Sequence, residues 1–101
     1  MFFANINKGL EEYRRTKNAL LIDVREAEEY AAGHIPCAVN VPLSTIAEAD
    51  LPKDRPLFIY CLRGSRSAWA ASFLKRRGYN RAKSIGGING YRGEVTVFLP
   101  R

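Results

Sequence analysis

The chain is poor in several residues that specialised proteins need. In 101 residues it has two cysteines, one histidine, one tryptophan and one methionine. Two cysteines, Cys37 and Cys61, are too few for a disulfide scaffold, and no C-x-x-C pair suggests a zinc site or a thioredoxin-type couple. A lone histidine, His34, cannot anchor a metal cluster. No apolar run approaches the ~20 residues that span a bilayer. The start, Met1-Phe2-Phe3-Ala4-Asn5, lacks the basic leader, apolar stretch and cleavage site of a secretory signal. No P-loop, dinucleotide fingerprint, internal repeat or low-complexity linker is present. These absences predict a cytoplasmic protein off the membrane, with both thiols reduced and with neither metal nor cofactor.

What remains is ordinary globular material, 47% hydrophobic and 26% charged. That predicts one domain over residues 1–101, long enough to bury a core without staples. The net charge is +6 and unevenly placed. Residues 1–50 carry five Lys/Arg against eight Asp/Glu, net −3; residues 51–101 carry eleven against two, net +9. A basic half suits an anionic substrate or an acidic protein partner. Lys75, Arg76, Arg77, Arg81 and Lys83 read as a solvated helix face and its tail. Nucleic acid is the weakest partner, because no recognised fold or aromatic–basic stripe supports it.

Short apolar runs alternate with amphipathic stretches. Residues 7–17 read as a helix with Leu10 and Tyr13 on one face. Residues 19–23 read as a buried strand ending in Asp23. Residues 26–32 form a short helix closed by Gly33. A strand over 38–41 stops at Pro42, and 44–49 make one or two helical turns. Residues 56–60 are the most strand-like segment. A loop over 61–66 precedes a strong helix over 67–77, ended by Gly78. A last strand over 81–85 is broken by Gly86-Gly87, and Val95 to Phe98 form a terminal strand or an ordered tail. The alternation predicts an α/β fold: a parallel central sheet of about four to five strands with helices on both faces. Ligands bind beyond the carboxyl ends of such strands, where Cys61 falls.

The segment Cys61-Leu62-Arg63-Gly64-Ser65-Arg66-Ser67 carries the chemistry. A loop curling from a strand end into a helix start turns backbone N–H groups inward and forms an anion nest. The helix N-terminus adds unpaired N–H groups and positive partial charge. Arg63 and Arg66 add two permanent charges. All three favour thiolate over thiol, so Cys61 is expected to be nucleophilic at neutral pH. Gly64 permits a turn that a side chain would resist. Cys37 lacks such neighbours and reads as structural, at the opposite edge of the sheet, too far from Cys61 for a disulfide. Asp23 reads as a carboxylate paired with backbone or arginine, and His34 as hydrogen-bonded structure. Trp69 and Phe73, four apart on the helix, read as packing. Gly86-Gly87 reads as a tight turn near the site's rim.

Three segments together resemble a single-domain rhodanese, a sulfurtransferase-type module. The first runs Asp23-Val24-Arg25-Glu26, Glu29-Tyr30, Gly33-His34-Ile35-Pro36, then Ala38-Val39-Asn40-Val41-Pro42. It is similar to the family's D-V-R-x-x-x-E-[FY] and G-H-I-x-G-A-x-N-x-P pattern, with Cys37 standing where the family has glycine. The second is the six-residue loop from Cys61 to Arg66, whose last position is often Ser or Thr in relatives and is arginine here. The third is Gly86-Gly87-Ile88-Asn89-Gly90-Tyr91, similar to G-G-x-x-x-[WY]. The resemblance implies that Cys61 takes a sulfane sulfur from a small anionic donor such as thiosulfate, holds it as a persulfide, and passes it to a thiol or cyanide-type acceptor. It implies donor binding by Leu62, Arg63, Gly64, Ser65 and Arg66, with Arg25 reaching the same rim.

Other readings compete with this one. Cysteine-loop phosphatases and arsenate reductases use C-x5-R, but here arginine comes one place early, at Arg66, and a shorter loop suits one sulfur better than a tetrahedral oxyanion. A regulatory rhodanese-like binding module commonly lacks the cysteine that this chain keeps. A persulfide carrier, fed by a partner protein, shares every residue named above.

Overall fold

The fold of residues 4–97 is described by a computed structural model. Asn5 opens helix α1 (Ile6–Arg15), its side-chain oxygen accepting the N–H groups of Asn7 (3.0 Å) and Lys8 (3.4 Å). This is the capping role for which asparagine is favoured. Strand β1 (Leu20–Asp23), helix α2 (Ala27–Ala32) and strand β2 (Val39–Asn40) follow. Next come a 3-10 helix (Leu43–Glu48), strand β3 (Leu57–Cys61), helix α3 (Ser65–Arg76), strand β4 (Ala82–Gly87) and a 3-10 turn (Ile88–Gly90).

The sheet has four strands in the order β2-β1-β3-β4, every pair parallel. Its faces bury two separate clusters. On one face Ile6 and Leu10 of α1 pack with Leu21, Phe58, Tyr60 and Ile85. On the other, Ala70, Ala71 and Leu74 of α3 pack with Ile22, Leu57, Ile59 and Cys61. Alternate residues of β1 and β3 therefore serve opposite faces, which is why both strands read as unbroken apolar runs. No helix of the described residues is long and apolar enough to cross a membrane.

Several boundaries differ from the sequence reading. Helix α3 starts at Ser65, not at 67, because Gly64 takes a left-handed conformation (φ 113°) and turns the chain directly into the helix. Strand β4 is not broken by Gly86-Gly87. After a register shift beside Ile59 and Tyr60, the pairs Tyr60↔Gly86 and Cys61↔Gly87 continue the ladder. Strand β2 is only two residues long, since Ala38 spends its N–H on a turn to Ile35. Among the described residues the expected tail strand makes one antiparallel bridge, His34 with Thr96, and Phe98 lies outside them. Cys37 is not structural filler: it is exposed, in a left-handed conformation (φ 76°), on the turn before β2.

Candidate active site

Strand β3 ends at Cys61, and α3 begins four residues later, at Ser65. The helix start has no side-chain cap, because its N-cap is Gly64. The sulfur of Cys61 takes that place. Sγ accepts the Gly64 N–H at 3.0 Å and the Ser67 N–H at 3.4 Å, donors that a capping oxygen would otherwise satisfy. The hydroxyl oxygen of Ser67 lies 3.5 Å from Sγ. Burial, at 1% exposure, would push the thiol pKa up. The Ser67 hydroxyl and the N–H groups of Ser67, Gly64 and Arg63 outweigh it, so the net direction is down. Hydrogen bonding of this kind favours the thiolate, the nucleophilic form, over the thiol.

Strand β4 presses on this loop from beneath. A side chain at Gly87 would run into the Leu62 carbonyl and come within 2.6 Å of Arg63 Cα. The Leu62 carbonyl in turn accepts the Asn89 N–H at 3.1 Å. The glycine pair thus serves as a close-packed floor that lets the loop settle onto the sheet end.

The structure sorts the expected site residues into two groups. Leu62, Arg63, Gly64 and Ser65 surround the sulfur's end of β3, and the Arg63 side chain is exposed, with no ion pair among the described residues. It lines two adjoining surface clefts, one with Gly64, Ser65 and Ala68, the other with Asn5, Asn89 and Arg92. The two remaining arginines are committed elsewhere. Arg66 grips Glu29 of α2 with two parallel bonds, 2.8 and 3.0 Å. That fork, opposed by partial burial and helped by the Glu26 N–H, pushes the Glu29 carboxyl down to about 2. Arg25 does not reach the rim. It is buried, bonded to Asp23 at 2.8 Å and to the Gly33 carbonyl at 2.7 Å, because a guanidinium two residues after a buried carboxylate satisfies it best by folding back.

The main support for a Cys61 thiolate therefore comes from hydrogen-bond donors, and Arg66, though held by Glu29, still interacts electrostatically with the sulfur. Ser67, fully buried, is the side chain the sequence reading passed over. Asp23 is paired with backbone and arginine as read. His34 bonds the Tyr30 carbonyl through Nδ1 at 2.7 Å and stacks on the Tyr30 ring. Trp69 stacks on Phe73 with ring centroids 5.2 Å apart, yet it is 52% exposed and outside the core.

Known proteins share the sequence and fold of this chain. Residues 7–94 match the rhodanese-like domain family. A sulfurtransferase of Allochromatium vinosum is 42% identical over 76 residues, covering 72% of this chain and 71% of its own length. The thiosulfate sulfurtransferase GlpE of Pseudomonas savastanoi pv. phaseolicola is 36% identical over 77 residues, with the same two coverages, 72% and 71%. The solved structure of the human single-domain sulfurtransferase TSTD1 superposes with a TM-score of 0.73 at 30% identity, covering 83% of this chain and 89% of that one. Fold and sequence agree, and the chain belongs to the rhodanese-like family.

Proposed function

We propose that the chain is a sulfurtransferase that moves a sulfane sulfur from thiosulfate, or a similar anionic donor, to a thiophilic acceptor through a persulfide on Cys61. The observation that carries this reading is the buried sulfur accepting the Gly64 and Ser67 N–H groups, with the Ser67 hydroxyl beside it. In the first step the thiolate attacks the outer sulfur of thiosulfate. The donor's S–S bond breaks, its electron pair leaves with sulfite, and a new bond joins Sγ to the transferred sulfur. The persulfide keeps one negative charge, which the N–H groups at the loop and helix start favour. In the second step cyanide or a thiolate attacks the outer sulfur, and the electron pair of the Sγ–S bond returns to Cys61. The exposed guanidinium of Arg63 supplies attraction for the anionic donor.

A phosphatase or arsenate-reductase reading fares worse. Those chemistries need the loop arginine turned toward the oxyanion, and Arg66 is turned toward Glu29. The +9 balance of residues 51–101 supports an acidic protein as a donor or acceptor, which would make the chain a persulfide carrier using the same sulfur. Two free cysteines fit a reducing, cytoplasmic setting.

Intact mass after incubation with thiosulfate, without reductant, tests the reading. Wild type should gain one sulfur atom, Cys61→Ala none, and cyanide should remove the gain as thiocyanate. No gain would rule out thiosulfate as donor.

A further inference from the structure

We propose that Ser84 of β4 is a positioning residue for the Cys61 thiolate: its hydroxyl, 2.8 Å from Ser67 Oγ, directs the Ser67 proton onto Sγ. This rests on the reading of Cys61 as a thiolate nucleophile and extends it to a residue outside the loop.

The Ser67 hydroxyl has one proton and four neighbours. They are Sγ of Cys61 at 3.5 Å, the Gly64 carbonyl at 3.1 Å, the Gly86 carbonyl at 3.3 Å and Ser84 Oγ at 2.8 Å. In the thiol state the S–H donates to Ser67 Oγ, and the Ser67 proton goes to one of the oxygens. Every group is then satisfied without help from Ser84. In the thiolate state the sulfur can only accept, so the Ser67 proton must turn to it. The Ser67 oxygen, fully buried, then needs a donor. The two carbonyls cannot donate. Among the described residues Ser84 is the one hydroxyl in reach, and its donation polarises the Ser67 O–H that serves the sulfur. Ser84 thus stabilises thiolate over thiol, although it makes no hydrogen bond to the sulfur. It is half-buried and lines the cleft shared with Arg63, Gly64, Ser65, Ala68 and Gly86, so its own remaining lone pair is within reach of water.

The charged groups around the sulfur are Arg66 on α3 with its partner Glu29 on α2, Arg63 on the loop, and the Asp23–Arg25 pair beside Tyr60 on the β1 side. A change at Ser84 alters none of them, so their effects cancel between variants.

The test is the pH profile of iodoacetamide alkylation, read at Cys61 by peptide mass so that exposed Cys37 does not interfere. Ser84→Ala should shift the profile to higher pH and slow alkylation about threefold to tenfold on the rising limb, the range of one lost neutral hydrogen bond. The high-pH plateau should stay unchanged. Ser84→Thr should restore the wild-type profile. Ser84→Val, isosteric with threonine, should not, so the comparison holds even where alanine unsettles the strand. In a Ser67→Ala background, Ser84→Ala should add no further shift. Equal profiles for the valine and threonine variants, or full additivity with Ser67→Ala, would overturn the proposal. The assay uses no sulfur donor. A missing thiosulfate adduct with the alkylation shift intact would count against sulfur transfer alone.

Discussion

Replacing Gly87 with alanine tests the packing beneath the loop. The added Cβ would meet the Leu62 carbonyl and lie 2.6 Å from Arg63 Cα and 2.8 Å from the Arg63 carbonyl carbon, inside the 3.0 Å that real Cβ atoms keep. The obstacle is backbone, and it has no slack: Leu62 is bonded to Asn89, and Gly87 is paired with Cys61. Overpacking of this kind costs about 1–3 kcal/mol. For a domain of this size each kcal/mol lowers Tm by roughly 4–8 °C, so the melting point should fall by about 4–24 °C. The loop must also lift, carrying the Arg63 and Gly64 N–H groups off Sγ and slowing Cys61 alkylation at neutral pH. Gly90→Ala is the matched control, because its Cβ would find only Ile6 Cγ2 at 3.7 Å, an ordinary contact. Calorimetry and site-resolved alkylation read both effects. A Gly87→Ala protein that melts and alkylates like wild type would refute the close-packed floor.

Three further outcomes are expected. The folded thiol of Cys61 has a lowered pKa, so its stabilising contribution is fully present above the ordinary thiol value, ~8.5, and is lost as pH falls through the folded value. The stability gap between wild type and Cys61→Ala in urea should therefore widen as pH rises toward the ordinary thiol value and level off above it; a constant gap would remove the sulfur as a helix cap. Glu29→Gln should cost only about 0.2–1 kcal/mol in urea titrations, since both side chains of the pair are 32% exposed. In wild type that contribution should be fully present above the ordinary carboxylate value, ~4.3, and be lost as pH falls to the folded value of about 2. Arg63→Met should raise the KM for thiosulfate about tenfold, the low end for a hydrogen bond to a charged group, with kcat kept; Arg66→Met should leave KM within twofold.

The chain states its local rules clearly and its distant ones hardly at all. Strands β1 and β3 were legible because both faces of the sheet are covered and the strands are apolar throughout. The position of Cys61 followed from the strand end alone. The start of α3 was misread because its cap is a sulfur, not one of the oxygen side chains that mark helix starts. Gly86-Gly87 read as a break because glycine weakens strands on average, whereas Gly87 is required by Leu62 and Arg63, which only the fold brings close. Arg66 read as a site charge because its partner Glu29 lies 37 residues away. Ser67 was legible in principle as the first hydroxyl past the loop, but Ser84 had no sequence signal, since its meaning depends on β4 lying beside the start of α3.

The two outer strands bear on how the domain meets other proteins. A sheet whose flanking strand leaves a long, flat row of backbone donors and acceptors open invites another chain to continue the ladder. Here β2 offers two residues. On the far side, β4 carries a register shift and a left-handed Gly86 (φ 105°), and its Lys83 is held by Glu12 of α1. Neither strand presents a template of useful length. The protein donor or acceptor proposed above would then have to be met by side chains around the carboxyl end of β3, and a folded copy gives a misfolded neighbour little backbone to grip.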